Sequence, residues 1–337
     1  MKKKILITGS AGFIGAHTVE WFLAHTDWDI IGLDSFRHKG DSVRVTQESP
    51  RYKIFCHDLN APIGHRLTEK MGEIDYILNL ASLSHVDTSI SDPVPFWESN
   101  TRLIGNILEF ARQNHVKAFL QCSTDEVYGP ALEDYEHKEW DPILPSNPYA
   151  ASKAAQEALC FAYWRTYNLP MCITNCMNLI GTKQDPEKFV PMVIKKIYNN
   201  ESVPIHATPD PDIKNTYIPG SRMYLDARNL ADAWLFILKN GLFNQYNGGE
   251  NLRCERYNVA GLEEINNLRL AFRISALMGK SLQYHFVDFH TTRAGHDPRY
   301  CLTNEKILSK GWRHPIELDT TLKEIISFTI NNKEWMK

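Results

Sequence analysis

Tyr149 and Lys153 stand four residues apart, and the segment Ser123-Thr124-Asp125-Glu126-Val127-Tyr128-Gly129 lies about twenty residues upstream. Residues four apart on a helix share a face, so an ammonium at 153 can sit beside a phenol at 149. A cation there lowers the phenol pKa and makes it a base for an alcohol proton, which suits oxidation of a carbinol by a nicotinamide. Plain alcohol oxidation has no use for the adjacent acids Asp125 and Glu126. Two neighbouring carboxyls can act as acid and base on adjacent carbons, which is elimination chemistry. The other reading of the pair is an acidic turn that caps the next segment.

These residues need a scaffold, and the hydrophobic pattern supplies one. Short apolar runs at 4–8, 29–33, 53–56, 74–80, 116–122 and 171–175 read as buried strands, with helices predicted at 93–114 and 148–167. Strands alternating with helices predict an α/β fold with a doubly wound parallel sheet, the Rossmann arrangement. After about residue 180 the prolines multiply and the pattern shortens, with helices predicted at 191–199, 229–239 and 263–278. The expected division is a dinucleotide-binding domain over 1–180, with segments returning at about 221–245 and 288–305, and a smaller, discontinuous, mixed α/β substrate domain over 181–337.

Gly9-Ser10-Ala11-Gly12-Phe13-Ile14-Gly15 falls between the first strand and the following helix. Glycines there allow a tight turn and let backbone approach a pyrophosphate at the helix N-terminus. Asp34 closes the second strand, where a carboxylate suits the free ribose hydroxyls of NAD; nearby Arg37 keeps NADP open. A simple glycine turn with Ser10 as the helix cap is the competing reading. Asp58 and Leu59 follow the third strand, and Leu80, Ala81 and Ser82 follow the fourth, where ligands of such sheets bind.

The 337 residues are 43% hydrophobic and 23% charged, as in water-soluble globular proteins. A net charge of -3 gives no reason to expect nucleic acid or an anionic membrane as partner. Seven dispersed cysteines without a Cys-x-x-Cys read as free thiols in a reducing compartment. The apolar run after Met1-Lys2-Lys3-Lys4 is too short for a signal-peptide core, so a cytoplasmic protein is expected. No His or Cys spacing resembles a zinc site, Cys172 and Cys176 included, and no metal is expected.

The glycine spacing, Tyr149 with Lys153 and the two-part layout resemble the extended short-chain dehydrogenase/reductase family. Within it, Ser84-His85-Val86-Asp87, the Thr124-Asp125-Glu126 triplet, Pro186-Glu187-Lys188 and Arg293-Ala294-Gly295-His296-Asp297-Pro298-Arg299-Tyr300 resemble the dTDP-glucose 4,6-dehydratases, a likeness that runs from about residue 4 to about residue 315. The resemblance implies NAD as cofactor, a nucleoside-diphosphate hexose as substrate and a homodimer formed by the helices at 93–114 and 148–167. It implies that Tyr149 and Lys153 act at the 4-hydroxyl, Glu126 at the C5 proton and Asp125 at the departing 6-hydroxyl, with Thr124 near the 4-oxygen. It carries over Asn100 as a cofactor contact and Asn178, Arg222 and Arg293 as diphosphate ligands. Ser84, His85, Glu187, Lys188, Phe189, His206, His296 and Tyr300 complete the implied substrate pocket.

The chain departs from that pattern where the family has Ala-Glu-Ser-His and here stands Ser82-Leu83-Ser84-His85. It departs again at Asn178-Leu179-Ile180-Gly181, and at His206, where the family has Tyr. The base and sugar therefore stay open: UDP-, CDP- or GDP-hexoses and UDP-N-acetylglucosamine stand beside dTDP-glucose. Rival activities are 5,6-dehydration, 4-epimerisation, which does not need the acid pair, and non-catalytic dinucleotide binding.

Overall fold

The computed structural model describes residues 2–37, 40–45, 47–249, 252–289 and 297–336. Its strands are β1 (Lys4–Thr8), β2 (Asp29–Asp34), β3 (Tyr52–Cys56), β4 (Tyr76–Asn79), β5 (Ala118–Thr124), β6 (Met171–Cys176), β7 (Leu179–Ile180), β8 (Val203–Pro209), β9 (Tyr217–Pro219), β10 (Ser221–Arg222), β11 (Leu225–Asp226), β12 (Glu255–Val259), β13 (Ile265–Asn266) and β14 (Tyr284–Asp288). The helices are α1 (Phe13–His25), α2 (His65–Met71), α3 (Val86–Ser91), α4 (Val94–Gln113), α5 (Pro148–Tyr167), α6 (Phe189–Tyr198), α7 (Ala227–Lys239), α8 (Asn267–Met278), α9 (Glu305–Ser309) and α10 (Leu318–Asn331).

Seven strands form one parallel sheet in the order β12-β6-β5-β4-β1-β2-β3. Its strands read as continuous apolar runs because both faces are covered. Along β1, Ile5 and Ile7 enter the core under α1 and α7, while Leu6 enters the core under α4 and α5. The seventh strand, β12, comes from outside the segments expected to return to the sheet. The chain winds in both directions from β1, so the crevice between the ends of β1 and β4 is the topological switch point where such sheets bind ligands.

A second layer packs α6, α8 and α10 against the small sheet β14-β8-β9, around Val193, Ile197, Ile205, Leu270, Ile274 and Ile325. Helix α8 starts later than the sequence predicted. Ile265 and Asn266 pair with β10 first, and Asn266 then caps the helix through Arg269 N. Among the described residues, no helix is long and apolar enough to cross a membrane.

Candidate functional site

The glycine turn is built by backbone geometry. Gly9 has φ +67°, and a Cβ there would lie 3.0 Å from Ala81 N, so the turn after β1 presses on the segment after β4. A Cβ at Gly15 would overlap the Gly9 carbonyl oxygen. Gly12, not Ser10, caps α1, and no side chain bonds its first turn. The amides of Phe13, Ile14 and Gly15 therefore lie in an uncapped helix N-terminus, which favours an anion.

Asp34 is 8% exposed and accepts from Ala11 N at 2.9 Å and Phe36 N at 3.0 Å, backing the turn. Arg37 is engaged by Asp58 at 2.8 Å, which ties the cation that kept NADP open to a neighbouring carboxylate. Leu59 turns its side chain into the core and its carbonyl to Asn106, so it presents no side chain to a ligand. Leu80 N and Ala81 N both donate to Thr8 Oγ1 at 3.1 Å, and Ser82 Oγ donates to the Leu83 carbonyl. Asn100 is fully buried, accepting from Leu83 N and donating to Leu83 O and Ser152 Oγ. It braces the 80–83 segment.

The acids stand at the end of β5. Thr124 caps the short 3-10 turn Asp125–Tyr128, which Gly129 (φ +79°) closes. The Thr124 hydroxyl donates to Asp125 Oδ1 at 2.8 Å and so serves the acid pair. Asp125 Oδ2 is buried without a hydrogen-bond partner among the described residues. Burial first, and then the Glu126 charge, push the Asp125 carboxyl up to about 7. Burial also raises Glu126, but Asn147 Nδ2 donates to its Oε2 at 2.9 Å, and Arg222 and Lys188 oppose the rise. Asn147, which the sequence reading missed, caps α5 through Ala150 N just ahead of Pro148. An Asn-Pro step opening a helix is the local signal that marks it.

Tyr149 lies in the first turn of α5. Its hydroxyl is held well above the usual phenol range, by burial first and then by Glu126, Cys176, Cys122 and Asp125. Lys153 donates to the Cys122 carbonyl at 2.8 Å and to Gln156 Oε1 at 2.7 Å. The expectation that the lysine lowers the phenol is therefore not met in this structure. Its ammonium is turned to β5 and to its own helix, and acids and thiols surround the phenol.

The expected substrate residues fall into three groups. Near the acids lie Lys188, at the cap of α6, and Tyr300, whose buried ring has the Arg222 guanidinium 4.5 Å above it. His85 caps α3 and brings Nε2 to 4.0 Å from Glu187 Oε1, linking two expected pocket loops, while Ser84 beside it is exposed. Farther out, Asn178 is exposed, Phe189 stacks toward Tyr224, and His206 on β8 lies 5.6 Å from the Phe289 ring. Arg293 and His296 lie outside the described residues.

Arg222 is anchored by backbone carbonyls. It is 7% exposed, and its fork donates to the carbonyls of Ser221, Pro298 and Asp297 at 2.6, 2.9 and 2.8 Å. Those bonds use three of the five guanidinium N–H donors. The cation also acts on the electrostatics of Asp125 and Glu126. Among the described residues, no group of three or more His, Cys, Asp or Glu is placed to hold a metal ion.

The chain is similar to known proteins. The low-salt glycan biosynthesis protein Agl12 of Haloferax volcanii is 30% identical over 332 residues, covering 98% of this chain and 99% of that protein. The dTDP-glucose 4,6-dehydratase of Salmonella typhimurium is 31% identical over 362 residues, covering 99% and 94%. The crystal structure of DesIV, a dTDP-glucose 4,6-dehydratase from Streptomyces venezuelae solved with NAD bound, superposes with a TM-score of 0.85 at 27% identity over 99% of each chain. The model of the NAD dependent epimerase/dehydratase family matches residues 5–249, and the chain belongs to that family.

Proposed function

We propose that the chain dehydrates a nucleoside-diphosphate hexose to its 4-keto-6-deoxy product, with dTDP-glucose the first substrate to test. The observation that carries this reading is the asymmetry of the buried acid pair. Asp125 has a carboxyl raised to about 7 and one oxygen without a partner. Glu126 next to it is also raised by burial, but it accepts an amide N–H that opposes the rise and favours its ionised form. One acid that can hold a proton and one base, on adjacent residues, suit removal of a C5 proton and protonation of a 6-hydroxyl. A 4-epimerase needs neither, and relatives named as dTDP-glucose 4,6-dehydratases agree with the choice.

NAD is the cofactor of the family, and the residues present fit it: the uncapped start of α1, the tight glycine turn in which Gly15 has no room for a Cβ, and the Asp34 carboxylate at the end of β2. Gly9, Gly12 and Gly15 would receive the pyrophosphate, Asp34 would take the adenosine ribose, and Leu80 to Ser82 would border the nicotinamide end. When bound, the dinucleotide supplies hydride acceptance at C4 and hydride return at C6. Tyr149 takes the 4-hydroxyl proton, which requires that a cation offset the acids around it; Lys153 is the nearby ammonium. Glu126 removes the C5 proton once the 4-carbon is a ketone, Asp125 gives its proton to the 6-oxygen, which leaves as water, and Glu126 returns a solvent-exchanged proton to C5 as the 6-carbon is reduced. Thr124 fixes the Asp125 carboxyl by its hydrogen bond.

The substrate nucleotide would run toward Asn178 and His206. The exposed Val94, Trp97 and Tyr167 on α4 and α5 support a homodimer through those helices. Seven free cysteines support a reducing, cytoplasmic setting.

The test is NMR of the protein with dTDP-, UDP-, CDP- and GDP-hexoses and UDP-N-acetylglucosamine in deuterated water. A 4-keto-6-deoxy product carrying deuterium at C5 is expected. Inversion at C4 with the 6-oxygen retained would replace this reading with epimerisation, and a 5,6-unsaturated product would replace it with 5,6-dehydration.

A further inference from the structure

Beneath the candidate site runs a buried series of side-chain amides that no motif announces. Thr8 Oγ1 donates to Asn79 Oδ1 at 2.6 Å, Asn79 Nδ2 to Gln121 Oε1 at 2.8 Å, and Gln121 Nε2 to Gln156 Oε1 at 3.0 Å. The same Gln156 oxygen accepts from Lys153 Nζ at 2.7 Å, and Gln156 Nε2 donates to the Asn100 carbonyl at 3.0 Å. Thr8, Asn79, Gln121 and Gln156 are all 0% exposed, and Lys153 is 4% exposed. The series crosses β1, β4 and β5 and ends on α5. At its start, Thr8 Oγ1 also receives the Leu80 and Ala81 amides.

We propose that Gln156 is the positioning residue of the site's lysine. Its carbonyl oxygen and that of Cys122 hold two of the three ammonium N–H groups, and the third is left for Tyr149 or a bound ligand. An ammonium without acceptors at this depth would give up its proton. Desolvation already draws Lys153 down from its ordinary range. The ionisable groups facing it, Cys122 from β5, Cys176 from β6, and Glu157 and Cys160 from α5, oppose that shift. Gln156 keeps the cation in place without neutralising it. The amide series fixes Gln156 in turn, because both ends of each amide are engaged along it. The consequence for turnover rests on the function proposed above; the hold on Lys153 does not.

The test is NMR titration of Lys153 in protein labelled at lysine Cε, with the signal assigned by its loss in Lys153→Met. Gln156→Met is expected to lower the Lys153 pKa by about one unit, a tenfold loss of proton affinity. It should also move the acid limb of the kcat profile upward while leaving sugar KM within about twofold. Gln156→Glu, which keeps an acceptor and adds charge, should raise the Lys153 pKa, and it stands in if the methionine variant does not fold. A Lys153 titration unchanged from the parent in either folded variant overturns the proposal. The titration needs no turnover, so a parent protein that dehydrates no sugar would refute the proposed function and leave this result readable.

Discussion

Replacing Asp125 by Asn should cripple dehydration and, above neutral pH, stabilise the fold. Folded Asp125 holds its proton to about pH 7, against an ordinary 3.8. Between those values the folded state binds a proton that the unfolded chain has released. The contribution of Asp125 is therefore complete below about pH 4 and is lost as pH rises to about 7. The gap is about 3 units at about 1.4 kcal/mol each, or about 4 kcal/mol. Part of it belongs jointly to Asp125 and Glu126, because a neutral neighbour relieves both. A measured change of about 2–4 kcal/mol is the expectation. The new amide places donors where Oδ2 has no partner, a cost of about 1–3 kcal/mol. That cost is independent of pH, so the variation with pH carries the information.

The assay is urea unfolding of parent and variant, followed by tryptophan fluorescence, at several pH values from about 5 to about 8. The variant should gain on the parent steadily as pH rises. A difference that stays flat across the range would mean that Asp125 ionises normally, and the assignment of the acid would fall with it. In the same variant, turnover of an active sugar should drop by about 100-fold or more.

Two further outcomes follow from the geometry. Gly15→Ala must push a methyl into the Gly9 carbonyl, so NAD affinity measured by calorimetry should fall by at least about tenfold, with loss of thermal stability. Arg256 pairs with Glu157, at 1% and 0% side-chain exposure, and Arg256→Met would strand a buried carboxylate; urea unfolding should show a loss of about 3–5 kcal/mol, while Arg256→Met with Glu157→Met should recover part of it.

Several of these features were legible in sequence because their cause is local. Gly9 needs a positive φ and Gly15 a missing Cβ, and both leave a glycine at a fixed offset from β1. Helix α5 was read to its true ends, 148–167, and the structure adds the Asn147 cap and the left-handed Asn168 that bound it. What sequence could not show depends on who meets whom. That Arg222 meets the carbonyls of 297 and 298 could not be read from its own motif. Gln156 sits in an alanine-rich stretch with no sign that it is buried against Lys153 and Gln121. Strand β12 is short and polar at one end, and its place beside β6 is decided by pairing across about eighty residues of chain.

That late strand shapes how the protein is made. During synthesis, β1 to β6 leave the ribosome first, and β6 then waits with an unsatisfied edge until Glu255–Val259 is out. In that interval the nascent sheet exposes Met171–Cys176, an apolar strand all of whose residues are buried in the finished fold. An open, hydrophobic edge of that kind is a template for pairing with another chain. Polypeptides terminated between residues 180 and 254 should therefore bind chaperones or aggregate, though they contain the glycine turn, the acids, Tyr149 and Lys153.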